Sequence, residues 1–224
     1  MRLNADFDQQ ALVHSEQIDW VPSPMPGVDR RMLDRVGEEV ARATSIVRYA
    51  PGSAFSAHTH DGGEEFYVLD GVFQDEHGDY PAGTYVRNPP GTSHTPASEQ
   101  GCIILVKLWQ FDPADRANTR INTHHMEAIA DTTRPGVSIK PLFADTRENV
   151  RVEHWEPEIQ SSIQTKGGAE LFVLEGSLTY KDQPLARGSW LRLPPQASGT
   201  LQIGGDGAKI WVKTGHLAEV VRAG

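Results

Sequence analysis

The chain repeats itself, and the repeat limits what it can fold into. Gly71, Gly83, Pro89 and Pro90 recur 105 residues later as Gly176, Gly188, Pro194 and Pro195. Between these anchors "FYVLDG" matches "LFVLEG" and "GTYVRNPPG" matches "GSWLRLPPQ". Upstream, "SIVRYAPG" lies over "VRVEHWEP", and "PGV" at 26–28 matches "PGV" at 135–137 with an offset of 109, so the second copy is about four residues shorter in its leading segment. Two copies of one module imply a pair of similar domains rather than a solenoid. The polar stretch "DPADRANTRINTHH" at 112–125 reads as the link. The expected division is therefore 1–115 and 116–224.

Within each copy the local pattern is β. "ATSIVRYA", "EEFYVLDGVFQDE" and "CIILVKLWQF" are rich in β-branched and aromatic residues, and "HDGG", "EHGD" and "NPPG" punctuate them as turns. Frequent Gly and Pro suit short strands better than long helices. Some helical spacing is visible only in "RRMLDRVGEEVARA", with an exposed acidic face at 37–39, and in the terminal "HLAEVVRA". Many short strands at regular spacing predict an all-β sandwich or barrel.

Composition narrows the function. The net charge is −9 with no basic stripe, which disfavours nucleic-acid partners. No apolar run reaches membrane length and no signal-peptide core opens the chain, so a cytoplasmic protein without a membrane partner is expected. The single cysteine, Cys102, excludes an internal disulfide and reads as a core residue.

Chemistry concentrates in "HTHDGGEEFYVLDG", residues 58–71. His58 and His60 are two apart, so on a strand both imidazoles share a face. Glu64, Phe66 and Val68 share a parity on the next strand, giving a carboxylate followed by an apolar wall. "DGG" is flexible enough to bring the two strands together. His94 follows the tight bend of "PPGTS". Three imidazoles and a carboxylate suit a divalent transition metal: zinc first, with iron, manganese, nickel or copper as alternatives. In an octahedron two positions would stay open for a ligand. The second copy sharpens this. His58, His60, Glu64 and His94 align with Ile163, Thr165, Ala169 and Gly199, so all four disappear together while the frame survives. Arg87 and Asn88, on the strand leading to His94, are candidates to orient a ligand, with Phe66 and Val68 lining the same pocket. Tyr67 has the opposite parity and is expected to pack. His77, His124 and His125 read as solvated, and His154 as structural.

These residues carry a resemblance. "GSAFSAHTHDGGEEFYVLDG" resembles the first cupin motif at Gly52, His58, His60, Glu64 and Gly71, and "GTYVRNPPGTSH" the second at Gly83, Pro89, Gly91 and His94. The asparagine that usually closes the second motif is Ser98 here. The resemblance implies two tandem cupin barrels of double-stranded β-helix, or jelly-roll, type: a bicupin. It implies a metal on His58, His60, Glu64 and His94 in the first barrel and none at the aligned positions of the second. "GVFQDEHGDYPAGTYVRNPPGTSH" is further similar to the cupin domain of ChrR-type anti-sigma factors. In that family a separate helical domain binds the sigma factor through a zinc site containing cysteines. With one cysteine and cupin sequence from near its start, this chain is expected to lack that domain, so a sigma factor is not carried over as a partner.

Three functions follow as expectations. The first is a sensor or binding barrel for a small molecule or oxidant at a His3Glu centre. The second is a non-haem iron dioxygenase acting on a small diketone- or flavonol-like substrate. The third is a scaffold whose metal only ties strands together. A homodimer is compatible with each.

Overall fold

The computed structural model describes residues 1–38 and 40–221. Among them every long element is a strand, with two 3-10 turns at Ser15–Gln17 and Thr123–His125. No described helix is long and apolar enough to cross a membrane.

Both copies build the same sheet. In the first, the order is Arg2–Leu3, Val28–Gly37, Ala41–Tyr49, Cys102–Leu108, Glu64–Asp75, Thr84–Asn88, Thr119–Asn122. In the second it is Ile129–Ala130, Val137–Ala144, Asn149–Trp155, Thr200–Thr214, Ala169–Tyr180, Ser189–Leu193, Ala11–His14. All pairings are antiparallel, and each copy rolls up as a jelly-roll barrel. Alternation fills the interiors: Val47, Phe66, Val68, Val86, Ile104 and Val106 in the first barrel, Leu171, Val173, Leu191, Leu201, Ile210 and Val212 in the second. Each such side chain removed from water contributes roughly 1.5–3 kcal/mol.

Two strands sit with the other copy. Ala11–His14 pairs with Ser189–Leu193, and the following Ser15 Oγ donates to the Gly188 carbonyl at 2.6 Å. Thr119–Asn122 pairs with Thr84–Asn88, and Thr123 Oγ1 donates to the Gly83 carbonyl at 2.8 Å. The compact units are therefore 1–5 with 18–125, and 6–17 with 126–220. The change of unit falls at 125, beyond residue 115, because part of the segment read as a link, Thr119–Asn122, is a paired strand. His124 and His125 belong to its closing turn and are exposed.

The helical spacing at 30–43 does not yield a helix among the described residues. Val28–Gly37 is a strand, paired with Ala41–Tyr49 along its length through one bulge between Met32 and Asp34. Long-range pairing overrides a weak local period. Of the acidic run, Gly37 ends this strand, Glu38 is exposed, and Glu39 lies outside the described residues. Residues 216–221 form turns, and the rest of the terminal apolar stretch lies outside the described residues.

Candidate metal centre

The site forms where two short strands meet the long one. His58–His60 pairs with Thr92–His94, with His58 opposite His94 and His60 opposite Thr92. The chain then reverses through Asp61, Gly62 and Gly63. Gly63 has φ of +76°, and a Cβ there would lie 2.4 Å from the Phe111 ring, so only glycine delivers Glu64 to this place.

The ligand atoms of His58, His60 and His94 lie within 4.8 Å of one another. Their rings stand 4.6–5.0 Å apart, each nearly perpendicular to the others. Glu64 Oε2 lies 3.4 Å from His60 Nε2 and 3.6 Å from His94 Nε2. Neither Nε2 makes a hydrogen bond, although both are buried. Orphaned buried nitrogens around one carboxylate oxygen are costly unless something occupies the centre. A divalent metal fits this donor set.

The outer nitrogens are held. His58 Nδ1 faces the Ser56 carbonyl at 3.4 Å, a long contact. His94 Nδ1 faces Asp75 Oδ2 at 3.3 Å. Tyr80 Oη donates to Asp75 Oδ1 at 2.9 Å, and Arg120 Nε donates to Tyr80 Oη at 2.9 Å. Such a chain fixes the tautomer that leaves Nε2 free for the metal. Asn88 Nδ2 donates to Glu64 Oε2 at 3.2 Å and orients the carboxylate.

Burial sets the protonation states. It pushes His60 down to about 4 and lowers His94 as well, against the opposing pull of Glu64 on His94. Both rings are therefore neutral at pH 7, as ligation requires. Burial raises Glu64, opposed by His94 and His58. An ionised Glu64 is thus held against its environment until a cation joins it.

A cavity of about 370 Å³ opens beside His58, His60 and Glu64. Its apolar wall comes from Val47, Phe55, Ile104, Val106 and Leu108, with Tyr49 at the side. Burial pushes the Tyr49 phenol upward, so it stays a neutral donor. Phe66 and Val68 share the inward face with Glu64, but they sit in the core cluster and do not line this cavity. Arg87 is corrected more sharply. It is adjacent to Asn88, so the two point to opposite faces. Arg87 stacks 4.1 Å from the Phe111 ring and pairs with Glu65 at 3.7 Å and with Asp115. Tyr67, on that same outer face, hydrogen-bonds Thr123 Oγ1 at 3.1 Å. Asp75, Tyr49 and Arg120 have no local signal in the sequence, because their relation to the histidines is made only by strand pairing. Ser98, at the asparagine position of the motif, donates to the Val72 carbonyl at 2.6 Å.

The aligned place in the second barrel is closed. Ile163 is 3% exposed and Ala169 fully buried within the apolar core, and Thr165 Oγ1 donates to the Ala197 carbonyl. A Cβ on Gly199 would lie 2.1 Å from the Ile163 carbonyl oxygen.

The ChrR cupin-like domain matches twice, over residues 8–112 and 116–218. The chain belongs to this family. No curated protein matches it in sequence. Among solved structures, this bicupin is similar to a Nostoc punctiforme protein provisionally named a dioxygenase: TM-score 0.76, 15% identity, covering 95% of this chain and 85% of that one. It is also similar to YlbA from E. coli, with TM-score 0.69, 14% identity and coverage of 93% and 91%. Oxalate decarboxylase from Bacillus subtilis gives TM-score 0.61, 13% identity and coverage of 92% and 77%. At these identities the likeness is one of fold.

Proposed function

We propose that this bicupin is a metal-dependent oxygenase acting on a small carbonyl compound of the diketone class. The observation that supports this most is the pair of orphaned Nε2 atoms on His60 and His94, with His60 lining a cavity that has an apolar wall. His58, His60, Glu64 and His94 hold the ion, with iron the species for this chemistry and manganese or nickel as alternatives. A bound divalent ion polarises a ligand oxygen as a Lewis acid. The chain's own residues do the rest. Asp75 holds His94, Asn88 holds Glu64, the aliphatic wall excludes water, and Tyr49 offers a neutral hydroxyl.

A second reading is a sensing barrel carrying zinc, favoured by the family to which both halves belong. One experiment separates the two. The full chain is purified without added metal, its metals are quantified, and oxygen uptake is followed with acetylacetone for the wild type and His60→Ala. Iron with uptake that His60→Ala abolishes is the expected result. About one equivalent of tightly held zinc without uptake after iron reconstitution favours the sensor.

A further inference from the structure

The strand Val28–Gly37 places two arginines in the cavity wall, Arg30 and Arg35. They face inward for a reason. Arg30 pairs with Val47, which pairs with Ile104, and all three line the cavity. The bulge between Met32 and Asp34 shifts the alternation by one, so that Arg35 also turns inward, opposite Ala43. Without the bulge Arg30 and Arg35 would point to opposite faces.

Their partners differ. Arg35 donates to the backbone carbonyl of Glu38, and the Glu38 carboxylate is engaged by the N-terminal amine. The Arg30 side chain makes no ion pair or hydrogen bond among the described residues, and its Nε is buried without a partner. The two cations disfavour one another: Arg35 is held below its ordinary value by burial and by Arg30. Among the described residues, the acidic groups lining the cavity are Asp61 and Glu64. Among the described residues two guanidinium groups face these two carboxylates, so a divalent ion at the histidines would add positive charge that an anionic ligand can neutralise.

We infer that the ligand of this cavity is a carboxylate with an apolar body, its acid group captured by Arg30 at the end away from the histidines. The inference rests on the metal-centre reading above and deepens it. Val28, Val47, Ile104 and Val106 would clasp the body, and Arg30 would supply the paired N–H donors that match a carboxylate. The register puts Arg30 level with Val68, three strands across and four residues along from Glu64, roughly 20 Å in a flat sheet. The curvature of the barrel and the reach of the arginine side chain shorten that span, and the ligand body bridges the remainder.

The test uses the metal-loaded full chain and two probes that share a dicarbonyl end, 4,6-dioxoheptanoate and its neutral methyl ester. Calorimetry measures their affinity for the wild type, Arg30→Met and Arg30→Lys, and metal content is measured on the same samples. The acid should bind at least tenfold tighter than the ester. Arg30→Met should erase that preference with metal content and ester affinity unchanged, and Arg30→Lys should restore part of it. Equal affinity for both probes, binding of neither, or a preference that survives Arg30→Met overturns the inference. Failure of the metal-centre reading shows differently: no metal is retained, or the acid binds His58→Ala/His60→Ala as well as it binds the wild type.

Discussion

Where the first barrel presents His94 to His58, His60 and Glu64, the second has Gly199, where a Cβ would lie 2.1 Å from the carbonyl oxygen of Ile163. Where the first has His58 and Glu64, the second has Ile163 and Ala169 sealed in its core. The sheet order around both places is the same. The second barrel thus shows that this frame closes without a metal, through an apolar plug. The first keeps buried, unpaired imidazole nitrogens at the same place. That is costly for folding unless a metal joins them.

The comparison breaks most severely if the second site can be rebuilt. Ile163→His/Thr165→His/Ala169→Glu/Gly199→His should yield no soluble, folded protein. Gly199→His alone should cost more than about 4 kcal/mol, read by chemical denaturation, since its Cβ clashes with backbone. Next in size, His58→Ala/His60→Ala should abolish metal retention, measured by elemental analysis, while Thr165→Ala leaves it unchanged. Asp75→Asn should weaken metal binding about 10–100-fold in a chelator competition, because His94 loses its anionic partner.

The smallest effect concerns protonation, and its sign is opposite for two ligands. His60 is depressed, so its contribution to the stability of the metal-free protein is full above 6.5 and is lost as pH falls through about 4. Glu64 is raised, so its contribution is present below 4.5 and is lost as pH rises through its elevated value. Glu64→Gln should therefore raise the melting temperature of chelator-treated protein at pH 7 by roughly 2–6 °C. The gain should vanish near pH 4, while metal affinity falls at every pH.

Much of this is legible in the chain. His-x-His on a strand fixes a shared face, a Gly-rich turn fixes the reversal to Glu64, and the repeat marks which positions vary together. The same alternation that aligns Glu64 with Phe66 and Val68 forbids Arg87 and Asn88 from sharing a pocket, a consequence visible in the sequence once both lie on one strand. Arg30, Tyr49 and Asp75 are not legible, because each reaches the site through partners 17 or more residues away. Residues 28–37 mislead because a bulge disrupts their alternation and a period near that of a helix results.

The strand Ala11–His14 is made early and housed late. His14 Nδ1 meets Ser189 Oγ 175 residues further along the chain. At ~5–20 residues per second, the ribosome needs roughly ten to thirty-five seconds to supply that partner. Until then Ala11, Leu12 and Val13 form an unsatisfied β-edge, open to pairing with a neighbouring nascent chain. The first barrel, by contrast, is complete once residue 125 has emerged. On a polysome the histidine site can therefore close well before the tail of the protein exists, and the short leading strand is the part exposed to misassembly.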